Sequence, residues 1–137
     1  MMRWLAGVAA VAVLSVSGCG FDPLGAEAWS APPSYRVWWE RTEACSERTG
    51  SFEAVQWLIV PGDGFDCPSG KCAGRWEPGR IYIASAFVDD EMVVRHEMLH
   101  ALLDRGGHPN PPFGVGCPLT WDTWAGAARA RPGSVID

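Results

Sequence analysis

The stretch Asp90-Glu91-Met92-Val93-Val94-Arg95-His96-Glu97-Met98-Leu99-His100-Ala101-Leu102-Leu103-Asp104-Arg105 decides how the rest of the chain is read. Met92, Val93, His96, Leu99, His100 and Leu103 recur at about 3.6-residue spacing, on neighbouring faces of one helix. Asp89 or Asp90 offers an N-cap, and Glu91 sits in the first turn, where an anion complements the helix dipole. Gly106-Gly107 supplies the stop. The pattern predicts a helix over residues 90–105. His96 and His100, four apart, then project from one face about 6 Å from each other. That separation suits two imidazole nitrogens, each about 2.0–2.1 Å from one zinc ion. Glu97, about 100° further round the helix, can reach a water on such an ion without being a ligand.

A catalytic zinc usually has three protein ligands and a water. The chain has three histidines in all, and the third, His108, lies just past the glycine break. Roughly three extended residues span about 10 Å, enough to bring His108 back past one or two helical turns. Asp122 is the alternative ligand, an acid further downstream. Asp104 continues the four-residue spacing but stands about 12 Å along the axis from His96. It is expected behind the ligands or on the helix surface.

Working outward, Arg80-Ile81-Tyr82-Ile83-Ala84 favours strand by composition, as does Phe52 to Val60, which ends at Pro61-Gly62. Residues 61–79 hold Gly, Pro, Asp and Cys in abundance and are expected to be loop. Val37, Trp38, Ala44 and Cys45 recur at helical spacing, predicting a helix from Tyr35 to about Arg48. Pro109, Pro111, Pro112 and Pro118 make the segment after the histidines irregular, with Thr120 to Arg131 forming a short last helix. Asn110 to Gly114 reads as a rim beside the metal or as a stiff connection.

The first residues are Met1-Met2-Arg3-Trp4, then an almost wholly apolar run to Val16, then Ser17-Gly18-Cys19. A positive start, a short apolar run and small residues make an export signal over residues 1–18. Val16-Ser17-Gly18-Cys19 resembles a bacterial lipobox, which implies a lipid on Cys19 and attachment to a membrane of the cell envelope. Residues 19–34, with Pro23, Gly25, Pro32 and Pro33, read as a tether, and residues 35–137 as the domain. Cys45, Cys67, Cys72 and Cys117 remain, and in an exported chain four cysteines suggest two disulfides with three possible pairings. Cys67 to Cys72 spans a tight loop that can close on itself, leaving Cys45 with Cys117.

The formal net charge is −5 and no basic block stands out, which excludes the phosphate-neutralising surface of a nucleic-acid partner. Eight tryptophans in 137 residues read first as core for a small domain and second as a stacking platform for sugars. Tyr82, Arg95 and Arg105 are candidates to stabilise an oxyanion.

His96-Glu97-Met98-Leu99-His100 is the H-E-x-x-H pattern, and here the chain resembles the zincin metallopeptidases over roughly Phe52 to His108. The resemblance implies a small α+β domain whose active-site helix packs on a short sheet. It also implies Zn2+, Glu97 as general base, and an edge strand that binds peptide by backbone pairing, a part that falls to Arg80–Ala84. Against the metzincin branch the spacing departs: Leu103 stands where a glycine is expected, Gly106 where the third ligand is, and His108 comes two residues late. The expected function is zinc-dependent hydrolysis of peptide bonds. The alternative is a non-catalytic exported lipoprotein domain that uses the metal site for structure or for a partner.

Overall fold

The computed structural model describes residues 20–124 and 135–136. Two helices pack with a mixed sheet in an α+β arrangement, as the sequence led us to expect. In chain order the elements are β1 (Glu27–Ala28), α1 (Pro33–Ser46), β2 (Gln56–Val60), β3 (Phe65–Cys67), β4 (Gly70–Glu77), β5 (Arg80–Ala84), α2 (Glu91–Leu103) and β6 (Val135–Ile136). The sheet runs β1-β2-β5-β4-β3, with β6 also on β4. β5 is parallel to β2 and antiparallel to β4, while β6 runs parallel to β4.

The main sequence error lies in residues 61–79, which are not loop. They carry β3 and β4, joined across Cys67↔Gly70, and β4 then turns through Pro78-Gly79 into β5 at Glu77↔Arg80. Gly70-Lys71-Cys72-Ala73-Gly74-Arg75-Trp76-Glu77 is poor in strand-forming residues. It is a strand because its neighbours on both sides pair with it and its Cys72, Ala73 and Gly74 are buried, so tertiary context overrides propensity. The consequence is that β5 is interior rather than an edge, with Ile81 to Ala84 all buried.

The tether expectation also needs correction. Phe21 packs edge-on against Tyr82, with ring centroids 5.1 Å apart, and lies 4.8 Å under the Arg75 guanidinium. The Tyr82 hydroxyl donates to the Phe21 carbonyl (2.9 Å), and β1 pairs with β2. Arg75 and Tyr82 are register partners on the sheet face opposite Gly74 and Ile83, so Phe21 packs on the face away from α2. Tyr82 is thereby committed far from the histidines. Cys19 and the export signal lie outside the described residues.

Strand expectation for Phe52–Val60 holds over Gln56–Val60, after a 3-10 turn at Phe52–Ala54. Of the expected last helix, Thr120 to Trp124 form a turn closed by the Trp124 N–H on the Thr120 carbonyl (2.9 Å). The remainder to Arg131 lies outside the described residues. Both disulfides form as expected, Cys45–Cys117 and Cys67–Cys72. Trp39 and Trp57 are core, and Trp29, Trp38, Trp76, Trp121 and Trp124 pack against it.

α2 starts where Asp90 accepts from the Met92 and Val93 N–H groups. Every residue from Met92 to His100 is buried, because the sheet, α1 and the segment after the helix each cover a side. Arg95 is turned to α1: its Nε donates to Thr42 Oγ1 (3.0 Å) and its Nη1 to Glu91 (3.0 Å). That removes it from any oxyanion role.

The helix ends at Leu103, two residues before the expected Arg105. Asp104 adopts a left-handed conformation (φ 50°), its N–H bonding to the Ala101 carbonyl and the Arg105 N–H to the His100 carbonyl. This crossed pair is a Schellman motif with aspartate in the position that usually holds glycine. Asp104 carries both the strain of positive φ and an anion at the negative helix end. Asp104→Gly is therefore expected to stabilise the fold by about 0.5–1 kcal/mol. A denaturant midpoint equal to or below the wild type would refute this account of the helix end.

Candidate metal centre

His96 and His100 lie one turn apart on the C-terminal half of α2, where the partial negative charge of the helix end favours a cation. The Schellman turn and Gly107 (φ 75°) bring His108 back over the helix. His108 Nε2 stands 2.9 Å from His96 Nε2, and His100 Nε2 stands 3.2 Å from His96 Nε2. The potential ligand atoms of all three lie within 4.8 Å of one another. Two nitrogens on one tetrahedral zinc would be about 3.3 Å apart. The donor set therefore has the spacing and chemistry to hold a metal ion.

The opposite ring nitrogens fix the tautomers. His96 Nδ1–H donates to the Leu119 carbonyl (2.5 Å), and His100 Nδ1–H donates to the Arg105 carbonyl (2.9 Å). Each Nε2 is left as an acceptor aimed at the common centre, the arrangement by which outer partners orient metal-binding histidines. Two acceptors at about 3 Å repel unless a cation lies between them. Burial keeps these rings neutral: it drives His96 well below its ordinary value of 6.5, reinforced by His100, and lowers His100 to about 4. Burial lowers His108 too, although that ring is exposed at one side.

Phe113 forms the floor. Its ring centroid is 4.9, 4.8 and 4.9 Å from those of His96, His100 and His108. Asn110 to Gly114 is thus a base beneath the imidazoles rather than a rim. On another side Trp76 stacks on His100, with ring planes 19° apart. A cleft of about 490 Å³ opens there, bounded by Ser69, Arg75, Trp76, Glu77, His100 and Gly107 among others.

Glu97 is fully buried, and neither carboxylate oxygen has a hydrogen-bond partner among the described residues. Desolvation holds its acid well above the usual carboxylate range; the Trp76 backbone N–H and the charge of Arg75 oppose this. Gly74 makes room for it. A Cβ at Gly74 would lie 2.8 Å from Glu97 Oε1 and 2.9 Å from its Cγ, closer than real Cβ contacts come.

The structure brings His96, His100 and His108 together as the sequence suggested, and it seats the buried Glu97 carboxyl against Gly74 of β4. It leaves Asp122 out: that carboxylate is exposed, accepts from the Thr120 hydroxyl (2.6 Å) and is kept acidic by that bond. Asp104 is exposed at the helix end. Arg105 contributes its carbonyl and not its guanidinium. Sequence reasoning missed Leu119, Gly74 and Trp76. Leu119 acts through a backbone carbonyl, which leaves no mark in sequence, and the other two depend on recognising β4. No family model, curated protein or solved structure matches the chain.

Two expectations follow from this geometry. Gly74→Ala should cost about 1–3 kcal/mol, since the added Cβ would displace the buried Glu97 at Cγ as well as at its carboxyl; a chemical denaturation curve overlaying the wild type would contradict the close approach. For the metal-free protein, His96 and His100 have folded-state values below the unfolded 6.5, so the unfolded chain takes up protons first on acidification. Their contribution is intact above about pH 6.5 and is lost as the pH falls toward about 4. In a Glu97→Gln background, which removes the opposing contribution of that raised acid, stability of chelator-treated protein that stays flat from pH 7 to pH 4.5 would show that these rings are not desolvated.

Proposed function

We propose that the chain is an exported zinc-dependent hydrolase that cleaves peptide bonds, of the zincin type that its His96-Glu97-Met98-Leu99-His100 motif resembles. The observation that carries the reading is Glu97, a buried acid with two unpartnered oxygens on the same helix turn as His96, one of three converging imidazoles. A structural metal site has no use for such a group, whose burial without a partner lowers the stability of the fold. His96, His100 and His108 would hold the ion. Bound there, zinc would polarise a carbonyl and bring the acidity of a water to near neutral pH. Glu97 would take the proton from the attacking water and return it to the leaving amine. A carboxyl raised above its usual range is matched to that exchange, because it gives the proton back as readily as it accepts it.

The strand offered to substrate is β4, not Arg80–Ala84. Among the described residues, β3 pairs with β4 only over Gly70–Cys72 and β6 only at Cys72 and Gly74. The side of Arg75–Glu77 away from β5 is left beside the cleft and His100, where an extended peptide can add by main-chain pairing. Export accords with the two disulfides, which persist in oxidising compartments, and a lipid on Cys19 would attach the domain to a membrane.

One observation favours a second reading. His96 and His100 are each 1% exposed and Glu97 0%, as expected for a closed site serving structure or partner binding. The two readings part on one comparison, wild type against Glu97→Gln, each loaded with zinc and offered a mixed peptide pool. The hydrolase reading expects cleavage to fall by about 10²–10⁴-fold with zinc content unchanged. Equal turnover by both proteins would end it. His108→Ala should weaken zinc binding in either case, and retention of wild-type affinity would remove His108 from the ligand set.

A further inference from the structure

We propose that the Cys45–Cys117 disulfide is a redox gate on metal binding, so that the site forms only after those two thiols are oxidised. The inference rests on the metal-site reading above but not on catalysis. Residues 104–124 contain no helix or strand, yet they supply His108, the Phe113 floor and the Arg105 and Leu119 carbonyls that aim His100 and His96. A segment without a regular ladder keeps such positions only if something pins it.

The pin is Cys117. Its N–H donates to the Pro112 carbonyl (2.9 Å), and its own carbonyl accepts from the Gly114 N–H (2.9 Å) and the Leu119 N–H (2.8 Å). The residues on either side of it are thus Phe113, under all three rings, and Leu119, on His96. Cys117 is completely buried, and its sulfur is bonded to Cys45 in the last turn of α1. α1 is in turn fixed to α2 by Arg95, which bonds Thr42 and Glu91. Gly116 sits so close that a Cβ there would lie 3.3 Å from the Cys45 carbonyl. An unbroken covalent and hydrogen-bonded path therefore runs from the body of the domain through the disulfide to His96. Cys67–Cys72 closes only the β3–β4 hairpin and provides an internal control.

Oxidation transfers two electrons and two protons from the Cys45 and Cys117 thiols to a disulfide oxidant such as oxidised glutathione, which leaves as two thiols. In the dithiol state residues 104–119 lose their covalent anchor, and with it the fixed placement of one ligand and two outer partners. Loss of outer partners alone typically weakens a metal site by about 10–100-fold.

The test is the zinc affinity of the full chain, read by competition with a chromogenic chelator. Four proteins are compared: oxidised wild type, wild type reduced with a phosphine, Cys45→Ser with Cys117→Ser, and Cys67→Ser with Cys72→Ser. The gate predicts at least a tenfold loss in the second and third and less than a threefold change in the fourth. Unchanged affinity in the Cys45/Cys117 variant overturns the gate, whereas no zinc uptake by oxidised wild type overturns the metal reading itself. Should the double variant fail to fold, amide exchange on reduced, zinc-free wild type decides. Faster exchange confined to residues 105–119, with β5 still protected, supports the gate, and a uniform rise across the domain refutes it.

Discussion

Three nitrogen lone pairs held within 4.8 Å of one another, that of His96 about 3 Å from each of the other two, are the constraint on which the rest of the molecule is arranged. Acceptors do not gather spontaneously. They do so here because two backbone carbonyls, those of Leu119 and Arg105, hold the opposite ring nitrogens as donors. Those carbonyls come from an irregular segment, so the fold must place non-repetitive backbone accurately. A left-handed turn at Asp104, a disulfide at Cys117 and a phenylalanine floor accomplish this. The cost appears at Asp104, where a residue with a Cβ and a negative charge occupies a site better suited to glycine.

The second constraint is Glu97. A carboxyl buried without partners is among the least favourable groups a small domain can contain. Its setting is shaped around it, with the bare Gly74 backbone on one side and the stacked Trp76–His100 pair beside it. Function and stability are opposed at this point. Neutralising the acid would relieve the fold, but at the expense of the proton exchange proposed for it.

The parts of this arrangement that repeat along a helix were legible in the sequence. His96, Glu97 and His100 were placed by 3.6-residue spacing, the N-cap was narrowed to Asp89 or Asp90, and the disulfides were placed by the short loop from Cys67 to Cys72. His108 was placed only by reach, which sets a radius and not a direction; the Schellman turn supplies the direction. β4 was illegible because Gly70, Lys71, Gly74 and Glu77 favour turns or coil, and only neighbouring strands make them extended. Missing β4 misplaced the edge: with β3 and β4 uncounted, Arg80–Ala84 looked peripheral when it is central. The proline- and glycine-rich start looked like a tether because its contacts, Phe21 on Tyr82 and β1 on β2, are made with residues far along the chain.

That docked start changes how the domain would stand on a membrane. Fifteen free residues would be a leash tens of ångströms long, letting the domain sample the space above the bilayer in any attitude. With Phe21 seated under Arg75, only about two residues, roughly 7 Å of chain, separate Cys19 from the packed surface. A lipid at Cys19 would therefore moor the protein by the rear of its sheet. Its attitude over the bilayer would be set before any encounter.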